Sequence, residues 1–514
     1  MPTRRQFLFL AGSAGLSLAL PGCGMSPPLK KGVFTDFGDP SRPYLGLATS
    51  LKQEHDYEAR LEGSVPPDLR GTLYRNGPGL FDRGGLRRRS VLDGDGMVQS
   101  FCFHDRGVRY RNRFVRTNRY VAEEAAGRYL YPTWCTQAPG GILANIWRAG
   151  SVTSQASVTV YRMNDRLYAF DEIGLPYELD PVSLATVGES SLGLPRGLTT
   201  YAAHSKLDPQ TGQWLHFGIS FGAEPLLHVT IFASNGSLHS HRAFPMPRYN
   251  YMHDWFVTDR WLVFNLQPVE IHFWGFLMGL RSLYDSLAWE PEKGGLLMVV
   301  EREGAGNPFT MAAPPLFMWH SVNAHSAKGE IIADFIGYEK PDHFIGPDPV
   351  ATALMQGRKG DHKYPGILRR FVIDPLRRTL AAEIVAGEDF EFPRTNMLHL
   401  CHPYRFCYTA KGRPGEFFTS LIARVDMSSG KLESYDFGKD QFCSEPIFVP
   451  LPGRAYRPDD PEEPGWLLTE VYDSKTLTSY LAVLKADRVG DGPLARVHLT
   501  HHAPFGYHGW WSPA

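Results

Sequence analysis

Short runs of β-branched and aromatic residues alternate with turn clusters along most of the chain. Runs at 155–161, 166–170, 214–220, 227–233, 261–264, 330–335, 369–373, 417–425 and 466–472 have the length and composition of strands. Turn sequences such as Asp208-Pro209-Gln210-Thr211-Gly212 and Ser234-Asn235-Gly236 separate them. Many short strands punctuated in this way predict an all-β barrel or propeller. No residue-level repeat is visible, so periodicity does not set a blade number.

One segment breaks the rhythm. Residues 271–289 contain Phe273, Trp274, Phe276, Leu277, Met278, Leu280, Leu283, Tyr284, Leu287 and Trp289, which predicts an amphipathic helix. His272, Arg281 and Asp285 interrupt it, Glu270 precedes it, and its apolar length is short for a bilayer, so a membrane span is disfavoured. Two readings stay open: an interfacial patch that admits a lipophilic molecule, or a cap packed on the strands.

Acidic and basic residues nearly cancel, 54 against 53 in 514 residues, so no global field favours nucleic acid or an anionic membrane. The basic cluster Arg87-Arg88-Arg89 reads as a solvated loop without a function. The six cysteines, Cys23, Cys102, Cys135, Cys401, Cys407 and Cys443, form no Cys-x-x-Cys pair or zinc-like spacing, and they predict no particular bridge.

The first 23 residues read as an address label. Arg4-Arg5-Gln6-Phe7-Leu8 opens an apolar, glycine-containing stretch, and the twin arginines predict Tat export. The stretch ends in Leu20-Pro21-Gly22-Cys23, similar to a lipoprotein signal in which Cys23 becomes the acylated N-terminus. Plain cleavage nearby is the other reading, and the product is then periplasmic rather than lipid-anchored. Residues 24–43, including Ser26-Pro27-Pro28-Leu29-Lys30-Lys31, read as a tether, and 44–514 as one body.

Candidate chemistry lies in four scattered histidines, His204, His253, His320 and His508, separated by 49, 67 and 188 residues (253−204, 320−253, 508−320). That spacing excludes a helical His-Glu-x-x-His box. It fits strands that each deliver one ligand to a common axis, although each histidine singly reads as an ordinary structural residue.

The residues around each one narrow this. Ala203-His204-Ser205-Lys206-Leu207-Asp208-Pro209-Gln210-Thr211-Gly212, Met252-His253-Asp254-Trp255, Trp319-His320-Ser321-Val322-Asn323-Ala324 and Pro504-Phe505-Gly506-Tyr507-His508-Gly509-Trp510 resemble the four ligand segments of the carotenoid cleavage oxygenases. Tyr74-Arg75-Asn76-Gly77-Pro78-Gly79, Asp93-Gly94-Asp95-Gly96-Met97 and the segment 110–117 agree as well, so the resemblance spans roughly residues 44 to 510. Ser205 stands where the family has proline. Ser326 stands where the family often has glutamate, three places after the motif Asn323.

The resemblance implies a seven-bladed β-propeller capped by loops and short helices that form a tunnel. It also implies an Fe(II) ion on the four imidazoles, and Glu172, Glu391 and Glu445 as acceptors of the remaining ring protons. Asp171 replaces the family's tryptophan before Glu172. His325 lies an odd number of residues from His320, so a regular strand would point it to the opposite face. His216, His228, His272, His399, His402, His501 and His502 match no ligand position and read as structural. The implied reaction is O2-dependent scission of a conjugated double bond in a carotenoid or apocarotenoid. Trp134, Phe221, Trp255, Phe309 and Trp319 are candidates for the tunnel wall. The alternatives are a stilbene-cleaving dioxygenase of the same family and, from another class, a propeller that only binds a hydrophobic ligand. A calcium-dependent propeller enzyme lacks an acidic loop in this chain.

Overall fold

Where β-branched and aromatic residues run without interruption, strands form along the predicted lengths. Trp214–Ser220 pairs with Leu226–Phe232 in an unbroken antiparallel ladder, and Arg166–Phe170 pairs with Thr159–Met163. The computed structural model describes residues 25–27, 29–31, 37–148, 153–198, 200–304, 306–457 and 464–514. The predicted signal segment lies outside the described residues.

Seven antiparallel sheets form the blades of a propeller. Blade 1 orders Asp56–Glu58, Gly107–Phe114, Asp95–His104, Gly71–Leu80 and, at its edge, the C-terminal strand His508–Pro513. Blades 2 to 6 are four-stranded sheets that open with Thr159–Met163, Lys206–Leu207, Phe256–Val257, Phe317–Ala327 and Phe390–Arg394 respectively. Blade 7 runs from Gln441–Cys443 and Ile447–Pro450 through Gly465–Asp473 and Thr478–Lys485 to Pro493–His498, with Arg60–Gly63 as its outer strand. The first and last parts of the chain therefore share blades 1 and 7, and His508–Pro513, paired in register with Gly71–Leu80, closes the ring. Edge strands of neighbouring blades touch around the axis. Apolar faces of adjacent blades fill the space between them, as where Phe217, Leu227 and Ile231 meet Trp255, Phe264 and Met298.

Three expectations are corrected. Residues 271–289 are not one helix: Val269–Ile271 and Leu287–Trp289 pair as a small sheet around the short helix Phe273–Leu277 and a single 3-10 turn. Gly275 and Gly279 lie inside this segment, and backbone pairing at both ends outweighs the helical apolar period. The tether is partly docked. Lys30–Lys31 pairs with Leu86–Arg87, and the Ser26 N–H donates to the Leu280 carbonyl at 3.0 Å while its hydroxyl accepts from the Ser282 N–H at 2.8 Å.

The Arg87-Arg88-Arg89 cluster is not a solvated loop either. Arg87 pairs with Asp82 at 2.9 Å, Arg88 with Glu123 at 3.2 Å and Arg89 with Asp285 at 2.6 Å. Arg88 and Glu123 are both fully enclosed, and the Arg88 guanidinium lies 3.8 Å from the Tyr129 ring centre. Each cation has a carboxylate, that of Arg87 from five residues away and those of Arg88 and Arg89 from distant segments, which is what permits its burial. Cys102, Cys135, Cys401, Cys407 and Cys443 are free thiols.

Candidate metal centre

His204 and His253 immediately precede the opening strands of blades 3 and 4, His320 lies within the opening strand of blade 5, and His508 starts the closing strand of blade 1. Their ligating nitrogens all fall within 4.8 Å of one another, and all four rings are buried. Successive Nε2 atoms lie 3.0 Å (His204 to His253), 3.2 Å (His253 to His320) and 3.1 Å (His320 to His508) apart.

The other ring nitrogens face carboxylates. His253 Nδ1 pairs with Glu172, which sits in the loop after Arg166–Phe170 of blade 2. His320 Nδ1 lies 2.5 Å from Glu391 in the opening strand of blade 6, and His508 Nδ1 lies 2.8 Å from Glu445, between two strands of blade 7. Blades 3, 4, 5 and 1 thus supply imidazoles, and blades 2, 6 and 7 supply carboxylates. Among the described residues His204 has no carboxylate on its ring. Its neighbour Asp254 acts on it through charge alone, and the His204 carbonyl accepts from Trp255 Nε1 at 3.0 Å.

This hydrogen-bond pattern tests whether a metal fits. A carboxylate accepts only, so the Nδ1 atoms of His253, His320 and His508 carry the proton and their Nε2 atoms present bare lone pairs. Bare lone pairs 3.0–3.2 Å apart repel unless a cation lies among them. Two nitrogens bound at right angles to a metal about 2.1 Å away are themselves about 3.0 Å apart. Burial pushes His204 and His508 well below the usual imidazole range, and the neighbouring imidazoles add to this, so both rings stay neutral as ligands must. The donor set fits a divalent transition ion.

The local chain is bent to aim these groups. The strand Phe317–Ala327 has irregular register between Met318 and Asn323, which re-aims His320. Those irregularities also break the alternation on which the reading of His325 relied. His325 nevertheless stays out of the cluster, with its ring 6.1 Å from Tyr404. In blade 6 the register shifts between Glu391 and Arg394, where Pro393 cannot donate to the ladder. Phe392 there adopts a left-handed φ of 53° and donates its N–H to Glu391 Oε2. A phenylalanine in that conformation is strained, and it lies 5.3 Å from the His320 ring and 5.6 Å from the His508 ring.

Motif residues find their reasons nearby. Arg75, fully buried, lies 3.9 Å from Glu445 and 3.8 Å from Glu470. Asn76 donates to the carbonyls of Ala156 and Thr159 at 3.0 and 2.9 Å. Asn323 donates to the carbonyls of His399 and His402 and accepts from the Cys401 N–H, tying blade 5 to blade 6. Ser205, in the proline position, bonds His216 Nδ1 at 2.7 Å, and Ser326 donates to Asp259 at 2.5 Å.

Several supporting residues escaped the sequence reading. Tyr338 donates to Glu391 at 3.0 Å, and Arg394 donates to Glu445 at 2.7 Å. Asp254 bonds Lys206 at 2.7 Å and the Ser321 N–H at 2.8 Å. Burial alone would raise the Asp254 carboxyl, but Lys206 and His204 hold it well below the usual carboxylate range. Arg394 and Asp254 are adjacent to matched residues in the sequence, which was the available signal. His343 and His362 carried none.

A cavity of about 1150 Å³, counting its open mouth, reaches His253, His320 and His508. Trp134 and Trp319 line it, with Phe344, Phe390, Phe417 and Phe505. A second apolar cavity shares Trp134, Glu172 and Tyr251 with the first and continues to Phe221, Phe273 and Phe276. Of the predicted wall residues, Trp134, Phe221 and Trp319 therefore line cavities. Trp255 is instead core, stacked on Phe264 at 5.1 Å, and Phe309 lies on an outer strand under Arg378. Trp255 lies just before the strand Phe256–Val257 and packs toward blade 3, and Phe309 is on the rim.

The family described as retinal pigment epithelial membrane protein matches residues 48–513. The chain is 33% identical to apocarotenoid-15,15'-oxygenase from Synechocystis sp. across 90% of its own length and 94% of that protein. It is 26% identical to lignostilbene-alpha,beta-dioxygenase isozyme III from Sphingomonas paucimobilis, across 91% and 96% of the two chains. The crystal structure of the cobalt-substituted Synechocystis apocarotenoid oxygenase superimposes with a TM-score of 0.85 at 31% identity, covering 93% of this chain and 99% of that one. With propeller, histidine cluster and near full-length matches agreeing, the chain belongs to the retinal pigment epithelial membrane protein family, the carotenoid cleavage oxygenases, and is an oxygenase.

Proposed function

We propose that the protein is a non-haem Fe(II) dioxygenase that splits a conjugated carbon–carbon double bond of a carotenoid or apocarotenoid. One alkene and one O2 become two carbonyl compounds, so every atom is accounted for. The observation that carries this reading is four buried imidazoles converging at the end of an apolar cavity. Held by His204, His253, His320 and His508, a ferrous ion would supply electrons for oxygen activation at its remaining positions.

The chain's own residues do the rest. Glu172, Glu391 and Glu445 take the Nδ1 protons and fix the tautomer and angle of three rings. Their negative charge offsets the cation that four neutral ligands leave uncompensated. Tyr338 and Arg394 lock two of these carboxylates in turn. Trp134, Trp319, Phe392 and Phe417 exclude water and select which bond of an extended polyene lies near the metal. Cleavage of a stilbene uses the same site, and the similarity to a lignostilbene dioxygenase supports it as the second reading.

We further propose that the protein is exported by the Tat route and works at a membrane surface, as a periplasmic protein or anchored through a lipid on Cys23. Among the described residues no helix is long and apolar enough to cross a membrane. Leu143 and Trp147 are each 74% exposed, and Trp274 and Met278 nearly half exposed. Trp274 and Met278 are chain neighbours of Phe273 and Phe276, which line the second cavity, and the helix Gly141–Ile146 packs against Gly279. Two residues, a reach of three Cα steps or at most about 11 Å, separate Cys23 from the docked Ser26 beside this patch.

The test is to measure iron in the purified protein and incubate it aerobically with all-trans apocarotenoids and with hydroxystilbenes, looking for aldehydes by mass spectrometry. About one iron per chain and paired aldehydes are expected. Ligand retention without aldehydes from an iron-loaded protein would refute the dioxygenase reading.

A further inference from the structure

Beyond Trp319, a polar trio that the reaction above leaves unused lies at the cavity wall, with two of its members in the lining and the third, Asp342, behind them. Asp342, His343 and His362 lie on the long connection 339–366 between Glu330–Tyr338 and Ile367–Asp374, and each brings a polar atom within 4.8 Å of the other two. Asp342 is 8% and His343 2% exposed, and the His362 side chain is 5% exposed. Both imidazoles line the metal cavity.

One polar side of each group is taken. Trp319 Nε1 donates to His343 Nε2 at 2.8 Å, His362 Nε2 donates to Asp389 at 2.8 Å, and Asp342 Oδ2 accepts from the Lys363 N–H at 2.8 Å. The remaining atoms, Asp342 Oδ1, His343 Nδ1 and His362 Nδ1, are buried and have no partner among the described residues. Unpaired buried polar atoms are costly, and three together in an apolar wall call for a ligand group.

The fixed partners say which kind. An indole N–H can only donate, so His343 Nε2 is the acceptor and the proton of the neutral ring sits on Nδ1. Burial keeps that ring neutral. The Asp389 carboxylate accepts from His362 Nε2, and a ring protonated there alone keeps a lone pair on Nδ1. The trio therefore offers one N–H donor and two acceptors. A metal ion would need a lone pair where His343 carries its proton. A hydroxyl, which accepts once and donates once, satisfies the donor and one of the two acceptors.

We propose that Asp342, His343 and His362 form a recognition site for a hydroxyl group on the lipophilic substrate. His343 Nδ1–H donates to the hydroxyl oxygen, and the hydroxyl donates to His362 Nδ1 or Asp342 Oδ1. Phe417, 5.4 Å from the His343 ring and 5.5 Å from the His362 ring, packs against both. On its other side Trp319 lies 4.8 Å from the His253 ring, so one indole separates the hydroxyl site from the metal site. A hydroxylated end docked here sits at a fixed distance from the metal and sets which double bond reaches it. The inference deepens the dioxygenase reading and rests on it for the lipophilic nature of the ligand.

The test compares 4-hydroxystilbene with unsubstituted stilbene, and a ring-hydroxylated apocarotenal with its deoxy counterpart. Dissociation constants are read by tryptophan quenching on the anaerobic, metal-loaded full chain, and KM and kcat in air. The wild type is expected to bind the hydroxylated member roughly ten-fold more tightly, the usual scale for a satisfied hydroxyl. His362→Phe should abolish that preference and Asp342→Asn should reduce it, with the effect in KM rather than kcat. The ratio within one variant reads the site independently of any general loss, and melting temperatures check the fold.

Equal affinities in the wild type, or a preference surviving in both variants, would overturn the assignment. So would a second metal ion per chain that disappears in His362→Phe, which would make the trio a metal site. Variant-sensitive preferential binding without cleavage would sink the dioxygenase reading and leave the hydroxyl site standing.

Discussion

Glu391→Gln isolates what a carboxylate does for its histidine. Glu391 Oε2 accepts from His320 Nδ1 and from the Phe392 N–H, both at 2.5 Å, while Oε1 accepts from the Tyr338 hydroxyl at 3.0 Å. A glutamine oxygen can take the Oε2 position, and its amide can face Tyr338, whose hydroxyl turns to accept. All three contacts then survive in shape, and the loss is charge. Hydrogen bonds to charged groups contribute about 1.5–3 kcal/mol and neutral ones about 0.5–1.5 kcal/mol. Three converted bonds therefore cost about 3–4 kcal/mol in total. The share that reaches the metal weakens its binding about 10–100-fold, or about 1.4–2.7 kcal/mol.

Metal affinity would be read by chelator competition on the purified chain, with turnover measured at saturating metal. The expected result is weaker metal retention, with turnover partly recovered by added iron. Unchanged retention would refute the claim that Glu391 acts on the metal through His320. Glu445 is a poorer choice for this experiment, because its removal also strands the buried Arg75 and the Arg394 side chain.

Three further outcomes follow. Removing the last seven residues, from His508 onward, takes away one imidazole and the closing strand, so bound metal and cleavage should both be lost and the melting temperature should fall; unchanged cleavage would contradict the site. Arg88→Leu leaves the buried Glu123 with Arg119 alone, 3.6 Å away, and should cost about 1–3 kcal/mol, read as a lowered denaturation midpoint; a near-neutral result would mean the pair is not enclosed. Burial pushes His216 down to about 3, so folding is unpenalised above pH 6.5 and loses stability as pH falls from there toward 3. His216→Phe should flatten that acid limb of a melting-temperature profile, and an unaltered slope would exclude this histidine as a source.

The four histidines were legible because family wording surrounds each one, and Glu391 and Glu445 for the same reason. Glu172 was less so, since Asp171 replaces the expected tryptophan, yet it reaches His253 from a different blade. Strand positions followed from composition at 166–170 and 214–220, whereas the runs 155–161 and 417–425 become strand only from Thr159 and Leu421. The misread side chains share one cause. Arg87 to Arg89 read as solvated because their carboxylates, Asp82 apart, lie 35 or more residues away, and pairing at that separation leaves no local mark. His343 and His362 sit on a connection without strand rhythm or family phrase, so only the fold brings them together.

Because the strand that shuts the ring also carries His508, the fourth imidazole arrives 188 residues after the third. Until then a growing polypeptide holds three of the nitrogens at most. An ion that binds the quartet and not the open chain stabilises the completed circle by mass action, like a clasp on a bracelet. Demetallation should then loosen first the seam between blades 1 and 7, where hydrogen exchange at 71–80 and 508–513 would register it.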